Sequence, residues 1–354
     1  MREKLLDYIE KEKLDAFYIH RPENVSYISG YSGGDAYLLI LPHIWYLLTD
    51  PRCLEHAQSE CPDFTCVDWR PMGSITAGLA FLLKKENVHT VGFEADFLNI
   101  QFYQDVLNAY PCEMVPTEGV IESFRAVKTP EEVRKVRVAC EISSQAFEYI
   151  CQYIRPGVTE KELEARLAAW MQSHGADVKT SPNIVISGSR TSMLHGTPSM
   201  KAVEYGDLVL MDYGCKYKGY TADMTRTVVA GHATERQREV YGYVRKMLEA
   251  GLAAAGPGVR AEAIHDAALQ VIADTEYLPY FYHSIGHGFG LFVHESPFVR
   301  PQSPDTLQAG NTMTVEPGLY IPGWGGIRIE DDILVKEDGI EDLTLATREL
   351  VELF

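Results

Sequence analysis

The stretch Gly286-His287-Gly288-Phe289-Gly290-Leu291-Phe292-Val293-His294-Glu295 decides how the rest of the chain is interpreted. It sets two histidines seven residues apart, and the first of them lies between two glycines. An apolar strand that ends in an acidic residue is predicted on either side of this stretch along the chain. The two histidines must therefore be interpreted together with the acidic segments that precede and follow them.

The first acidic segment follows the apolar run Leu208-Val209-Leu210-Met211, which is typical of a strand buried on both faces. The run ends at Asp212, a carboxylate that is costly to bury without a partner. The chain then turns back through Lys216-Tyr217-Lys218-Gly219, which predicts a hairpin with Asp223 directly opposite Asp212. Like charges that face each other across a strand pair repel.

A second hairpin of the same construction is predicted downstream, where Met313-Thr314-Val315-Glu316 and Ile327-Arg328-Ile329-Glu330 flank a turn at Pro322-Gly323-Trp324. This pairing places Glu316 opposite Glu330. Any one of these carboxylates taken alone is better explained as a surface group or a helix cap than as a metal ligand. Two hairpins that each bring carboxylates together destabilise the fold unless they converge on cations, and this predicts a metal centre.

The predicted metal ligands are four carboxylates and one imidazole, namely Asp212, Asp223, Glu316, Glu330 and His287. This set is larger than the closed zinc sites built from four Cys or His ligands. It suits two divalent cations about 3.5–4 Å apart, as in metal-assisted hydrolases. Oxygen ligands with one imidazole favour Mn, Co, Fe or Zn over copper. The glycines beside His287 leave room for close approach of the backbone to a ligand. The Gly286-x-Gly-x-Gly290 pattern also fits a nucleotide loop, but no Lys-Ser/Thr follows it.

Several motifs resemble those of the pita-bread metallopeptidases, a family that includes prolidase, aminopeptidase P and methionine aminopeptidase. In order they are Leu194-His195-Gly196, Met211-Asp212-Tyr213-Gly214, Asp223-Met224-Thr225-Arg226-Thr227, the 286–295 stretch with Pro297, Glu316-Pro317-Gly318 and Arg328-Ile329-Glu330-Asp331. The resemblance implies an α/β (α+β) chain whose catalytic domain has the pita-bread architecture with pseudo-twofold duplication. Residues 24–33 and 48–50 resemble the creatinase-type N-terminal α/β domain, which methionine aminopeptidase lacks.

The predicted organisation is a creatinase-like domain over residues 1–122 and a pita-bread catalytic domain over residues 123–354, with the junction at 118–128. Strands alternate with helices in the first domain, which predicts a mixed sheet with helices packed against it. In the second domain, two helices and then strands occur twice along the chain. The predicted helices cover residues 130–154, 160–173, 235–255 and 261–275. A capped start is expected at Thr129 and a capping box at Thr159 with Glu162.

The resemblance also implies roles for residues around the metal centre. His195 and His294 would flank the ions, bind the scissile carbonyl and stabilise charge on the tetrahedral intermediate. Glu316 would carry a proton to the leaving nitrogen as well as bind metal.

Period-two alternation predicts further contacts behind the ligands. Arg328 shares a strand face with Glu330, so it orients that carboxylate or the substrate, with a plain ion pair as the alternative. Thr225 and Thr314 each lie two residues from a predicted ligand on the same face, which predicts hydrogen bonds to those ligands.

Composition limits the choice of partners. Fifty acidic and 32 basic side chains give a formal net charge of −18, which opposes binding to nucleic acid or to an anionic membrane. The N-terminal segment lacks the apolar core of a signal peptide, so we expect a cytoplasmic protein. The expected partner is a small peptide substrate, and the resemblance implies a homodimer.

The expected reaction is release of an N-terminal residue from peptides with a penultimate proline, as in aminopeptidase P. A strict Xaa-Pro dipeptidase, or prolidase, is the alternative. Some prolidases carry an arginine just after a His-Glu-x-Pro segment, suited to binding the carboxylate of a dipeptide. Here Phe298 stands at that place, and Arg300 lies two residues further on the same side of an extended segment. A non-catalytic pita-bread binding protein or a metal-free creatinase-like enzyme would not need all five ligands.

Overall fold

The structure, a computed structural model, describes residues 2–177 and 183–354. The chain divides into two compact units, Met1–Arg125 and Ala126–Phe354. The boundary expected at residue 122 falls within a helix, Val120–Ala126, so part of the segment predicted as a junction is helical. The exact domain boundary stays a prediction.

The first unit contains a six-stranded mixed sheet in the order β4-β3-β2-β1-β5-β6. Its strands are β1 Ala16–Ile19, β2 Tyr37–Ile40, β3 Trp45–Thr49, β4 Thr65–Asp68, β5 Thr90–Glu94 and β6 Glu113–Thr117. Its helices are α1 Arg2–Lys11, α2 Pro22–Ser29, α3 Pro51–Glu60, α4 Ile75–Lys85, α5 Ile100–Ala109 and α6 Val120–Ala126. β1 pairs antiparallel with β2 and parallel with β5, so the mixed sheet predicted from the alternation of elements is confirmed.

Local signals explain several element ends in this unit. Asp50 caps α3 by accepting a hydrogen bond from the amide of Arg52, and Ser74 caps α4 in the same way through Ala77. Gly30 ends α2 in the left-handed conformation at φ 79°. The apolar side chains of α4 and α5 then pack on the sheet around Tyr18 and Leu48.

The second unit carries four helices and two larger sheets among its described residues. The helices are α7 Pro130–Cys151, α8 Glu160–Ser173, α9 Glu235–Ala254 and α10 Ala261–Gln270. The strands are β7 Ile184–Ser187, β8 Leu208–Tyr213, β9 Lys216–Tyr217, β10 Tyr220–Thr221, β11 Met224–Ala230, β12 Gly286–Gly288, β13 Glu295–Val299, β14 Thr312–Val315, β15 Gly318–Ile321, β16 Gly325–Arg328, β17 Asp331–Lys336, β18 Gly339–Asp342 and β19 Glu352–Leu353.

The two sheets of this unit repeat one arrangement. The first has the order β19-β11-β8-β7 and the second β13-β12-β14-β17-β18. Each half begins with a pair of helices, followed by a single strand and then a hairpin. The single strand pairs antiparallel with the first strand of the hairpin, which pairs antiparallel with the second. This correspondence of β7-β8-β11 with β12-β14-β17 is the duplication predicted from the order of the elements.

Some predicted helix ends are wrong. The helix expected to reach residue 154 ends at Cys151, and those expected to reach residues 255 and 275 end at Ala254 and Gln270. Thr129 forms the complete capping box. Thr159 caps α8 through the amide of Glu162, whose own carboxylate binds Arg166 instead of completing the box.

The core of the second half holds its hairpins in place. α9 and α10 pack Met247, Leu248 and Ile264 against Val315 and Ile329 near the ends of the hairpin strands. Burial of such side chains stabilises the fold by about 1.5–3 kcal/mol each. No helix in the described ranges is long and apolar enough to span a bilayer.

Candidate metal centre

The first hairpin brings Asp212 and Asp223 to one cavity, but in a different register from the predicted one. Asp212 on β8 pairs with Thr225 on β11, so the expectation that Asp223 lies directly opposite Asp212 is wrong. The cause is the two-residue turn at Lys218 and Gly219, whose φ angles of 48° and 82° fix the centre of the hairpin. A shift of two residues keeps a side chain on the same face, so both carboxylates still line the cavity.

The second hairpin follows the predicted register. β14 pairs with β17 in the same register in which β15 pairs with β16, where Gly318 lies opposite Arg328. Glu316 and Glu330 lie opposite each other at the step between the two ladders, as predicted. The turn spans residues 322–324, between the paired residues 321 and 325.

The backbones of Glu316 and Glu330 turn away from each other at this step. The amide of Glu316 donates to the carbonyl of Ile285 at 2.6 Å, and the amide of Glu330 donates to the carbonyl of Thr225 at 3.1 Å. The second hairpin is therefore tied at its ligand positions to the residue just before β12 and to β11 of the first hairpin.

His287 is oriented by its own strand. Its Nδ1 lies 3.1 Å from the carbonyl of Gly288, which assigns the proton to Nδ1 and leaves Nε2 as an acceptor. Nε2 lies 3.6 Å from Glu316 Oε1 and 3.9 Å from Asp223 Oδ2. Gly286 allows the neighbouring strand β14 to approach closely and does not make space for a ligand. A Cβ at this position would lie 2.1 Å from the carbonyl oxygen of Thr314.

The five predicted ligands converge on one cavity of about 310 Å³. Potential ligand atoms of Asp223, His287 and Glu330 all lie within 4.8 Å of one another. Burial raises the pKa of Glu316 to about 8, with the Asp212 charge adding to the rise and Arg328 opposing it. Burial also raises the pKa of Glu330 well above its usual value, reinforced by the neighbouring carboxylates.

Such a group of acids fits divalent cations. The carboxylates repel one another and are kept from water, and the nearby Arg328 supplies a single positive charge to them. Oxygen donors with one neutral imidazole are the ligands that Mn, Co, Fe and Zn accept. Two such ions would reverse the electrostatic cost of bringing these side chains together.

Arg328 contacts one predicted ligand directly and another through a hydroxyl. Its guanidinium is buried, pairs with Asp212 Oδ2 and donates from Nε to Thr225 Oγ1 at 3.0 Å. Thr225 Oγ1 in turn donates to Glu330 Oε2 at 2.6 Å. Thr314 instead accepts a hydrogen bond from the amide of His287 at 3.2 Å, so its hydroxyl supports the histidine strand and not Glu316.

His195 and His294 both line the cavity. His294 stands edge-on to His287 with 4.4 Å between the ring centroids. Desolvation of its ring, together with the nearby His287, lowers the pKa of His294, which keeps the ring neutral near neutral pH. His195 lies in the segment that follows a 3₁₀ turn at Gly188–Ser192.

Two residues of the cavity region were missed by sequence reasoning. His283 Nδ1 donates to the carbonyl of Ser284 at 2.6 Å, so its Nε2 accepts from the Tyr320 hydroxyl at 2.9 Å. The Tyr320 hydroxyl in turn accepts from Arg328 Nη1 at 2.6 Å. Burial lowers the pKa of His283 to about 4, and Arg328 adds to this effect. His283 lies four residues before His287, so period-two alternation could have placed it on the same face.

Removal of divalent ions by a chelator is expected to lower the melting temperature, more so as pH rises from about 5 to about 8. Without cations the folded chain holds protons on Glu316 up to about pH 8, whereas the unfolded chain releases them near pH 4.5. The ion-free protein therefore loses stability across this range, while cations bind better as protons cease to compete. Scanning fluorimetry with and without metal at several pH values measures the difference, and a difference that shrinks with pH would contradict the electrostatic account.

Family comparisons agree with the motifs. Residues 134–337 match the model of metallopeptidase family M24, and residues 1–127 match that of the creatinase/prolidase N-terminal domain. The chain is similar to the Xaa-Pro dipeptidase of Pyrococcus furiosus, with 33% identity over 360 residues that cover 99% of each protein.

Solved structures agree over the same length. An Xaa-Pro dipeptidase from Bacillus anthracis is 34% identical, with 99% of each chain covered and a TM-score of 0.95. An X-Pro aminopeptidase from Thermotoga maritima is 33% identical, with 100% of this chain and 99% of the other covered and a TM-score of 0.92. The predicted fold class, a creatinase-type domain followed by a pita-bread catalytic domain, is confirmed. The chain therefore belongs to metallopeptidase family M24, as a peptidase of the Xaa-Pro branch that also contains prolidase.

Proposed function

We propose that this chain is an Xaa-Pro dipeptidase that works with two divalent metal ions held by Asp212, Asp223, His287, Glu316 and Glu330. The sequence alone favoured an aminopeptidase P-like activity, and dipeptidase was the alternative. The names of the relatives support the alternative better, because the Pyrococcus furiosus and Bacillus anthracis proteins are both called Xaa-Pro dipeptidases.

A pair of divalent cations supplies Lewis acidity, which lowers the pKa of water and polarises a carbonyl. Around them, the rings of His195 and His294 donate hydrogen bonds to the carbonyl oxygen as negative charge develops on it. Glu316 would accept a proton from the attacking water and deliver it to the leaving proline nitrogen. That nitrogen belongs to a tertiary amide and has no N–H, so its recognition depends on the shape of the cavity.

The position of Arg300 is the observation that carries the choice of a dipeptide substrate. Arg300 lines the same cavity as the predicted ligands, and its guanidinium lies 5.4 Å from the centre of the Phe298 ring. Among the described residues no carboxylate forms an ion pair with Arg300. An arginine stacked on a ring and exposed to the cavity is suited to a bidentate contact with the carboxylate of Xaa-Pro.

We expect Arg300→Ala to lower kcat/KM for Xaa-Pro by about 10- to 100-fold, the loss of one charge-assisted hydrogen-bonded contact. The loss should be much smaller for the C-terminal amide of the same dipeptide, which lacks the carboxylate. Arg236→Ala is the matched control, since Arg236 also stacks on an aromatic ring, that of Trp324, outside the cavity. Equal losses on the acid and the amide would show that Arg300 does not bind the carboxylate.

An aminopeptidase activity remains a second candidate because Phe298 occupies the place where some prolidases carry their arginine. The similarity to the Thermotoga maritima X-Pro aminopeptidase supports it as well. An Xaa-Pro-Xaa tripeptide distinguishes the two. Cleavage of the tripeptide as fast as of the dipeptide would establish aminopeptidase activity and overturn the dipeptidase proposal.

A further inference from the structure

A buried carboxylate outside the metal centre ties together the segment that carries His195. Glu160, the first residue of α8, has no exposed surface. Its Oε1 accepts hydrogen bonds from the amide and hydroxyl of Ser187 at 2.7 and 3.1 Å. Its Oε2 accepts from the amide and hydroxyl of Ser199 at 2.9 and 2.7 Å. Ser187 and Ser199 are the two ends of the segment, which we call the His195 loop.

Arg190 completes this arrangement from within the His195 loop. Its Nε lies 3.2 Å from both oxygens of Glu160, and its Nη2 donates to the carbonyl of Thr197 at 2.7 Å. The guanidinium therefore offsets the buried negative charge and also joins the outgoing and returning halves of the loop. Lys201 adds a hydrogen bond from Nζ to the Ser187 hydroxyl at 3.1 Å. A fully hydrogen-bonded buried charge fixes the geometry of its partners.

The ring of His195 has little other support. The side chain is exposed toward the cavity, and no hydrogen bond to the ring is found among the described residues. Its place beside the metal ligands therefore depends on the backbone of the His195 loop. One side chain, Glu160, accepts hydrogen bonds from both ends of that loop.

We propose that Glu160 is a positioning residue for catalysis. It holds Ser187 and Ser199 at a fixed separation and thereby sets the His195 ring against the bound substrate. The kinetic part of this inference rests on the proposed peptidase function. The structural part, the tethering of the His195 loop, does not.

A double-mutant cycle tests the kinetic part. Glu160→Gln keeps the shape of the side chain but loses its charge toward Arg190, and kcat should fall on the order of 10- to 100-fold with metal content unchanged. In a His195→Ala background the same change should lower kcat by less than about twofold, because the ring that it positions is gone. Equal losses in both backgrounds would mean that Glu160 acts on stability alone, and the proposal would be overturned.

Two further measurements test the tethering of the His195 loop without measuring peptide hydrolysis. In Glu160→Gln, amide hydrogen exchange should quicken in residues 187–201 and stay unchanged elsewhere. The NMR signals of the His195 ring, identified by their loss in His195→Ala, should shift. Glu162→Gln is the matched control, since Glu162 pairs with Arg166 on the exposed side of the same helix.

If Glu160→Gln does not fold, Ser199→Ala removes one tether more gently and should produce the same changes on a smaller scale. Unchanged exchange and unchanged His195 signals would refute the tether, whatever the enzyme hydrolyses. A wild-type protein that leaves Xaa-Pro peptides intact would instead refute the proposed function. The exchange and NMR measurements would then decide whether Glu160 tethers the His195 loop.

Discussion

Asp223→Asn is expected to reduce metal content and peptide hydrolysis together, with activity falling by more than about 100-fold. Asp223 Oδ2 lies 3.9 Å from His287 Nε2, among the acids that face one another in the cavity. An amide keeps the size of the side chain but gives up the negative charge that a shared divalent cation requires. The backbone of Asp223 should stay in place, because its amide donates to Asp332 Oδ2 at 2.9 Å.

The measurement pairs elemental analysis of the purified variant with kcat/KM on an Xaa-Pro peptide. Asp177→Asn is the control, since Asp177 accepts a hydrogen bond from the amide of Gly219 at the turn of the same hairpin and is exposed. The control should retain its metal and its activity. A fully active Asp223→Asn protein with normal metal content would mean that the ligand assignment is mistaken.

His294→Ala is expected to keep the metal ions and to lose turnover, with kcat falling on the order of 10²- to 10³-fold. The ring lies beside His287 at 4.4 Å between centroids, but we assign it to the substrate carbonyl rather than to the ions. The backbone around it is held independently, because the next residue, Glu295, forms a buried ion pair with Lys128 at 3.3 Å. Truncation should therefore remove one hydrogen-bond donor without moving the cavity wall.

Metal content measured beside the kinetic constants separates the two roles. His232→Ala is a suitable control, because His232 is an exposed histidine of the same unit that contacts Glu352 at 3.3 Å. If His294→Ala loses its ions in step with its activity, the ring is a ligand and its assignment to the substrate is wrong.

The sequence predicted the second hairpin better than the first, and the reason lies in the turns. Glu316 and Glu330 are symmetric about a three-residue connection, so counting from its centre gives the correct pair. In the first hairpin the turn residues are Lys218 and Gly219, and counting from their midpoint pairs Asp212 with Thr225. The register was wrong by two residues, but Asp212 and Asp223 still lie on the predicted face, because side chains alternate faces with a period of two.

Contacts that join distant segments could not be predicted from the sequence. Tyr320 belongs to no motif of the sequence, and its hydroxyl connects His283 to Arg328 only in the folded second hairpin. Glu160 was predicted simply as part of the start of α8. Its hydrogen bonds to Ser187 and Ser199 span 27 and 39 positions of the chain, and no local periodicity reports such pairs.

Three further expectations stay predictions. They are the identity of the metal, a homodimeric assembly and the assignment of individual roles to the ligands. Each follows from the resemblance to the family and from the chemistry of the donors.

The hydrogen bonds that join the second hairpin to β11 also determine how the catalytic unit should come apart. The amide of Glu330 donates to Thr225, the guanidinium of Arg226 donates to the Glu330 carbonyl at 2.7 Å, and the hydroxyl of Thr227 donates to the Arg328 carbonyl at 3.0 Å. Neither half can open without breaking these bonds of the other, so the duplicated halves should melt as a single cooperative body rather than one after the other. An isolated half, cut at the boundary of the internal repeat, would lack these hydrogen bonds. Its acidic residues would then lie on an unpaired strand edge, and it would bind no ion.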